Sequence, residues 1–154
     1  MIEAALAAEV ERRRSAPPAA GPLQESGALR FREQVTPYRL VRCEDLESLC
    51  SMMVNGAFAC AFEGDHSILV PIPDSGSPAG DDWACFRIDA DIPLGAVGVA
   101  AEVTGLLAAA DISVLMMSGY RTDYFLVRDS QRQPARDALI GGGHSVSREC
   151  GASA

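Results

Sequence analysis

The chain has no lysine, and thirteen arginines carry all of its fixed positive charge. That absence excludes Schiff-base chemistry and a phosphate loop built on a lysine. Histidine occurs only twice, at His66 and His144, and no two cysteines have CxxC spacing. A zinc centre would therefore have to be assembled from scattered ligands, so no metal and no cofactor is expected. Apolar runs fall far short of the ~20 residues a membrane-spanning helix needs. Aromatic residues make up only 6% of the chain. A net charge of −8 argues against nucleic acid, whose phosphates demand a basic surface. The five cysteines (Cys43, Cys50, Cys60, Cys85 and Cys150) are odd in number, and no secretory signal pattern precedes them. They are expected to be free thiols packed as small apolar residues in a reducing, cytoplasmic setting.

What is present is a 48% hydrophobic chain of 154 residues, enough for one domain or two small fused units sharing a core. Residues 1–35 read as an extension: a short helical pattern with Ile2, Leu6 and Val10 at i, i+4, i+8, then a Pro- and Gly-rich linker. From Tyr38 to Cys43 the chain alternates as a strand. Leu46, Leu49 and Met53 have helical spacing behind Asp45, predicting a short helix over 44–53. Ala57 to Glu63 and Ser67 to Ile72 read as a hairpin about Gly64-Asp65. A loop rich in Pro, Gly and Ser follows, from Pro73 to Asp82.

The second unit opens at Trp83. Ala84, Phe86 and Ile88 alternate with Cys85, Arg87 and Asp89, as in a half-buried strand. A helix is predicted over Leu94–Ala110, with Val99, Val103, Leu106, Leu107 and Ala110 forming its core stripe. Ile112–Met117 and Tyr124–Val127 read as strands joined by a polar elbow, Ser118 to Asp123. A last helix, with Pro134 in its first turn, stops at Gly141-Gly142-Gly143, and Ser145 to Ser147 offers an edge strand. The expected units are 36–80 and 81–148, with 149–154 as a tail. Strand–helix–strand–strand–helix must bury both helices on one face of a sheet, an α+β architecture.

At this point the residues resemble a known family. Ser118, Tyr120, Thr122, Asp123, Tyr124, Leu126 and Val127, with Gly143-His144 downstream and Trp83, Cys85 and Arg87 at the start, look like an ACT domain. More narrowly, they are similar to the small bacterial ACT-domain proteins related to the CASTOR arginine sensors. The resemblance implies tandem ACT-like, ferredoxin-like βαββαβ halves, with an antiparallel sheet and helices on one face. Gly119 stands where the family pattern has Thr, Arg121 where it has Asp or a similar residue, and Arg132 and Arg136 where it has apolar residues.

The resemblance further implies a small amino acid or related metabolite held between ACT units, and a homodimer or partner protein. The candidate ligand-binding residues are Asp91, Leu94, Gly95, Ser118, Gly119, Tyr120, Thr122 and Asp123. The segment Asp91–Gly95 leads into a helix whose free N–H groups would attract a carboxylate. Asp123 would pair with an ammonium or guanidinium, Ser118 and Thr122 would supply hydroxyls, and Gly98 reads as a packing glycine. Catalysis is not expected, because Cys60 or Cys85 with His66 or His144 forms no local signature of a nucleophile and base. The competing reading is a ligand-free interaction module, for which sheet edges and Arg132/Arg136 suit protein contacts.

Overall fold

The computed structural model describes residues 27–72 and 81–148. The expected N-terminal helix, the linker after it, most of the 73–82 loop and the C-terminal tail with Cys150 lie outside those residues. The chain runs through β1 (Arg30–Glu33), β2 (Tyr38–Cys43), α1 (Leu46–Ser51), β3 (Phe58–Phe62) and β4 (Asp65–Pro71). It continues as β5 (Trp83–Ile88), α2 (Val99–Ala109), β6 (Val114–Ser118), β7 (Asp123–Arg128), α3 (Arg132–Gly141) and β8 (Ser145–Arg148). A 3-10 turn, Asp129–Gln131, leads into α3. These elements make the mixed α+β architecture with one mainly antiparallel sheet.

In the first half, β2 pairs with β4 and β3 closes the hairpin, Phe62 facing Asp65 across the two-residue loop Glu63-Gly64. Asp45 caps α1 by accepting the Ser48 N–H at 2.8 Å. Leu49 then packs on Cys43 and Ile68. In the second half, β5 pairs antiparallel with β7, and β7 with β6. The halves join where Tyr38 faces Trp83 across a single β2–β5 pair. Arg39 reinforces that join by donating Nε and Nη2 to the buried Asp82 carboxylate at 3.0 and 3.3 Å.

One face of the second half packs Phe31, Phe86, Ile88, Phe125 and Val127 against α2 and α3. The helices meet that face with Val99, Val103 and Leu107 of α2, and Ala135 and Leu139 of α3, at i, i+4 spacing. The opposite face is covered as well, because the sheet curls and brings β3 over β7. The Phe58 ring lies 4.8 Å from Tyr124 and 5.6 Å from Tyr38, centroid to centroid. Beneath them Cys85, Leu126 and Leu69 are buried.

Four expectations are corrected. Arg30–Glu33, placed in the extension, is a strand inserted between β5 and β8, antiparallel to the first and parallel to the second. Its cause is Glu33, a buried carboxylate that accepts from Arg132 Nη1 at 3.0 Å, from Arg136 Nη2 and from Arg148 Nε at 3.4 Å. Arg132 and Arg136 therefore face inward and hold β1, not a partner protein. The helix predicted from Leu94 starts only at Val99. Residues 93–96 make a turn closed by Ala96 N–H on Pro93 O at 2.8 Å, which leaves Leu94 77% and Val97 96% exposed. Of the described cysteines, all free, Cys43 and Cys85 are buried but Cys50 and Cys60 lie on the surface.

Candidate functional site

The elbow and the approach to α2 enclose a cavity of about 260 Å³. Three segments form it. Ile92 to Ala96 supplies one wall, Gly98 to Ala100 the floor, and Ser118, Gly119, Thr122 and Asp123 the other wall. Gly98 is the N-cap of α2, at φ +92°, and no side chain caps the helix. That left-handed backbone is open to glycine at little cost. A Cβ on Gly98 would meet no atom within 4 Å, so the residue is there for its conformation and not for packing. The first N–H groups of the eleven-residue α2, with the positive end of its dipole, lie at this floor.

The opposite wall is fixed by β-pairing. Ser118 and Asp123 are cross-strand partners at the end of the β6–β7 hairpin, so both side chains leave the sheet on the same side. Asp123 is half-buried and, among the described residues, its carboxylate accepts no hydrogen bond. Gly119 N–H donates to Thr122 O at 2.9 Å and closes the elbow. A Cβ on Gly119 would stand 3.2 Å from that oxygen, so a residue bulkier than glycine fits only if the elbow shifts slightly.

Of the eight candidate residues, Leu94, Ser118, Gly119, Thr122 and Asp123 line this one cavity. Asp91, Gly95 and Tyr120 do not. Asp91 is bound at the rim by Arg121, Nε to Oδ1 at 3.0 Å and Nη2 to Oδ2 at 2.8 Å. Tyr120 is 60% exposed. Thr122, only 5% exposed, gives its hydroxyl proton to Ile88 O at 2.8 Å, which anchors the elbow to β5. Ile92 N–H bonds Arg121 O at 2.7 Å, tying the two walls together through the backbone as well.

Sequence reasoning missed Ile92, Pro93, Ala96, Val99 and Ala100 as lining residues. The misplaced helix start hid them, and the signal that marks it is Gly98 followed by the uninterrupted stripe Val99, Val103, Leu107. The thiol–histidine combinations do not assemble. Cys60 pairs with Ser67 and Ala61 with His66, which sets Cys60 and His66 on opposite faces of β3–β4. Among the described residues no group of three His, Cys, Asp or Glu side chains converges as a metal site would require. No described helix is long and apolar enough to cross a membrane.

His144 has a structural task. Its Nδ1 accepts the Leu29 N–H at 3.1 Å, and its ring packs tilted at 59° against Phe31, 5.7 Å between centroids, so it clamps the start of β1.

Comparison with known proteins places this geometry. The ACT domain family model matches residues 79–140, the segment that contains β5, α2, β6, β7 and almost all of α3. No curated protein matches the chain by sequence. Among solved structures, an Agobacterium tumefaciens protein is 20% identical with a TM-score of 0.64, over 79% of this chain and 94% of its own. A Vibrio cholerae protein of unknown function, described as a possible transport protein, is 18% identical with a TM-score of 0.56, over 71% of this chain and 85% of its own. The structure of aspartokinase alpha and beta subunits is 14% identical with a TM-score of 0.51, over 73% of this chain and 96% of the matched one. At such identities the likeness is one of fold.

Proposed function

We propose that this chain is a regulatory protein of the ACT type that binds a small amino acid or related metabolite in the cavity between 92–100 and 118–123. The observation that carries the reading is the pairing of opposite electrostatic features across one cavity. The N-terminus of α2, without a side-chain cap, lines its floor, and Asp123, half-buried and without a partner among the described residues, lines its wall. An α-amino acid carries the complementary pair, a carboxylate for the N–H groups and an ammonium for Asp123. Ser118 offers a further hydroxyl. Asp91, Gly95 and Tyr120 belong to the rim, where they shape access. The chain is then two ACT-like halves, 36–80 and 81–148, with β1 of the preceding segment built into the sheet of the second.

The response to ligand would be conformational or associative and not chemical. A ligand shifts such a balance only by its differential affinity for the two arrangements. Isothermal titration with the twenty amino acids, on wild type and Asp123→Ala, tests the reading. One amino acid should bind, and loss of its ammonium partner should weaken it by about ten- to a hundredfold, the size of a hydrogen bond to a charged group. No binding by wild type would sink it. A second reading, association without ligand, is favoured by the exposed Leu94, which lines the same cavity, and the exposed Val97 beside it in the chain. Sedimentation with and without the best amino acid separates the two.

A further inference from the structure

A second cavity, of about 270 Å³, lies on the face of the sheet away from α2 and α3. It is lined by Gln34, Tyr38, Gly56-Ala57-Phe58, Arg87 and Tyr124, so the first half, the β1–β2 connection and the second half each contribute a wall. Arg87 is half-buried, and its Nε is shut off from solvent with no hydrogen-bond partner among the described residues. A buried donor without an acceptor is costly, and more so on a charged group.

The neighbours of Arg87 do not supply the missing anion. Its cross-strand partner in β1 is another cation, Arg32, whose guanidinium is engaged with Asp89 at 2.9 Å. Asp91, whose carboxyl the Arg87 charge helps to hold low, is already gripped in bidentate fashion by Arg121. Of the two cross-strand arginines only Arg87 lines the cavity, and its fork is left for an external acceptor. The other walls are aromatic, with Phe58 between Tyr38 and Tyr124.

We propose that this cavity is a second binding site, taking a small monocarboxylate with a flat apolar body. Its carboxylate would meet the Arg87 guanidinium, and its body would rest among Tyr38, Phe58 and Tyr124. A guanidinium recognises carboxylate and phosphate alike. The aromatic wall of Tyr38, Phe58 and Tyr124 and the chain's net charge of −8 favour a singly charged anion that carries hydrocarbon. The site straddles the two halves, so its occupant would hold β3 against β7. It is separate from the cavity at α2, and either can exist without the other.

The test is a titration of the full-length, nitrogen-labelled chain with sodium benzoate, followed by NMR at the Arg87 Nε–H and the amides of Gly56, Ala57, Phe58 and Tyr124. Saturable shifts confined to these groups are expected, with benzamide, the neutral counterpart, binding at least tenfold more weakly. Inorganic phosphate should also be weaker than benzoate. Arg87→Met should lose tenfold or more, Arg87→Lys should fall between, and Asp123→Ala should leave benzoate binding unchanged. No saturable shift overturns the proposal, as does equal binding of benzamide or phosphate, or perturbation centred on residues 92–100. The ligand comparison on wild type decides the matter even if both arginine variants fail to fold.

Discussion

Arg121 grips Asp91 across thirty residues of sequence, two parallel N–H···O bonds joining the elbow to the loop ahead of α2. The pair sits where a carboxylate for ligand was expected, and it turns Asp91 from a contact into a latch. The Arg121 guanidinium holds the Asp91 carboxyl below the usual carboxylate range, against a smaller opposing effect of desolvation. The consequence is measurable. In wild type, Asp91 should titrate at lower pH than an ordinary aspartate, and in Arg121→Ala it should return to the usual range. Carbon-detected NMR through the acid limb reads both. The variant should barely change global stability, since exposed pairs contribute little. Hydrogen exchange at 92–97 should nevertheless quicken and amino-acid binding weaken several-fold.

How much of this could be read from the sequence depends on where each residue's partner lies. Helix α3 is legible because Ala135 and Leu139 face one core, whereas β5 and β7 are buried on both faces, with Cys85 and Leu126 packed opposite Phe86 and Val127. The start of α2 is not legible, since Leu94 and Val97 continue the helical spacing but point into solvent. Strand β1 was invisible for a different reason. Arg-Phe-Arg-Glu reads as surface, and only the arrival of Arg132, Arg136 and Arg148 from a hundred residues away makes a buried Glu33 tolerable. The elbow residues were found through family resemblance, while the engagement of Asp91 by Arg121 is a fact of geometry alone.

Glu33 makes the fold acid-sensitive. Burial pushes its carboxyl up, but hydrogen bonds from Arg132 and Arg136 and the charges of Arg136 and Arg148 outweigh that and hold it below the usual range. A carboxyl lowered on folding stabilises at pH above its unfolded value, and the contribution is lost as pH falls through the folded value. Glu33→Gln should therefore cost about 1–3 kcal/mol at neutral pH, because the half-buried Arg136 loses its carboxylate while Arg132 keeps Asp129 and the Gln34 carbonyl. The gap to wild type should narrow steadily on acidification. Urea melts at a series of pH values would show it, and a pH-independent gap would refute the assignment.

The residue after α2 offers a gain. Asp111 sits at φ +57°, the one described non-glycine residue with positive φ, where Ile112 N–H turns back to Leu107 O at 2.9 Å. This is a helix-ending bend usually given to glycine. Asp111→Gly should relieve the left-handed strain and raise stability by about 0.5–1 kcal/mol, less than the full penalty because aspartate tolerates this region. Thermal unfolding is the check, and an unchanged or lower midpoint would show that the strain is already offset.

Gly98 separates conformation from contact at the candidate site. Nothing lies within 4 Å of the position its Cβ would take, so Gly98→Ala fills no occupied space. Any cost must come from the backbone at φ +92°, where an L-residue pays about 1–2 kcal/mol. If the strain is borne in place, stability falls by that amount and amino-acid binding survives. If the backbone instead relaxes to negative φ, the first N–H groups of α2 turn away from Asp123's side of the cavity, and binding falls with little loss of stability. The two losses should therefore trade against each other. Calorimetric unfolding and titration on the same variant measure both. A variant with neither loss would mean that the left-handed N-cap is dispensable, and with it the role of α2's N-terminus in holding a carboxylate.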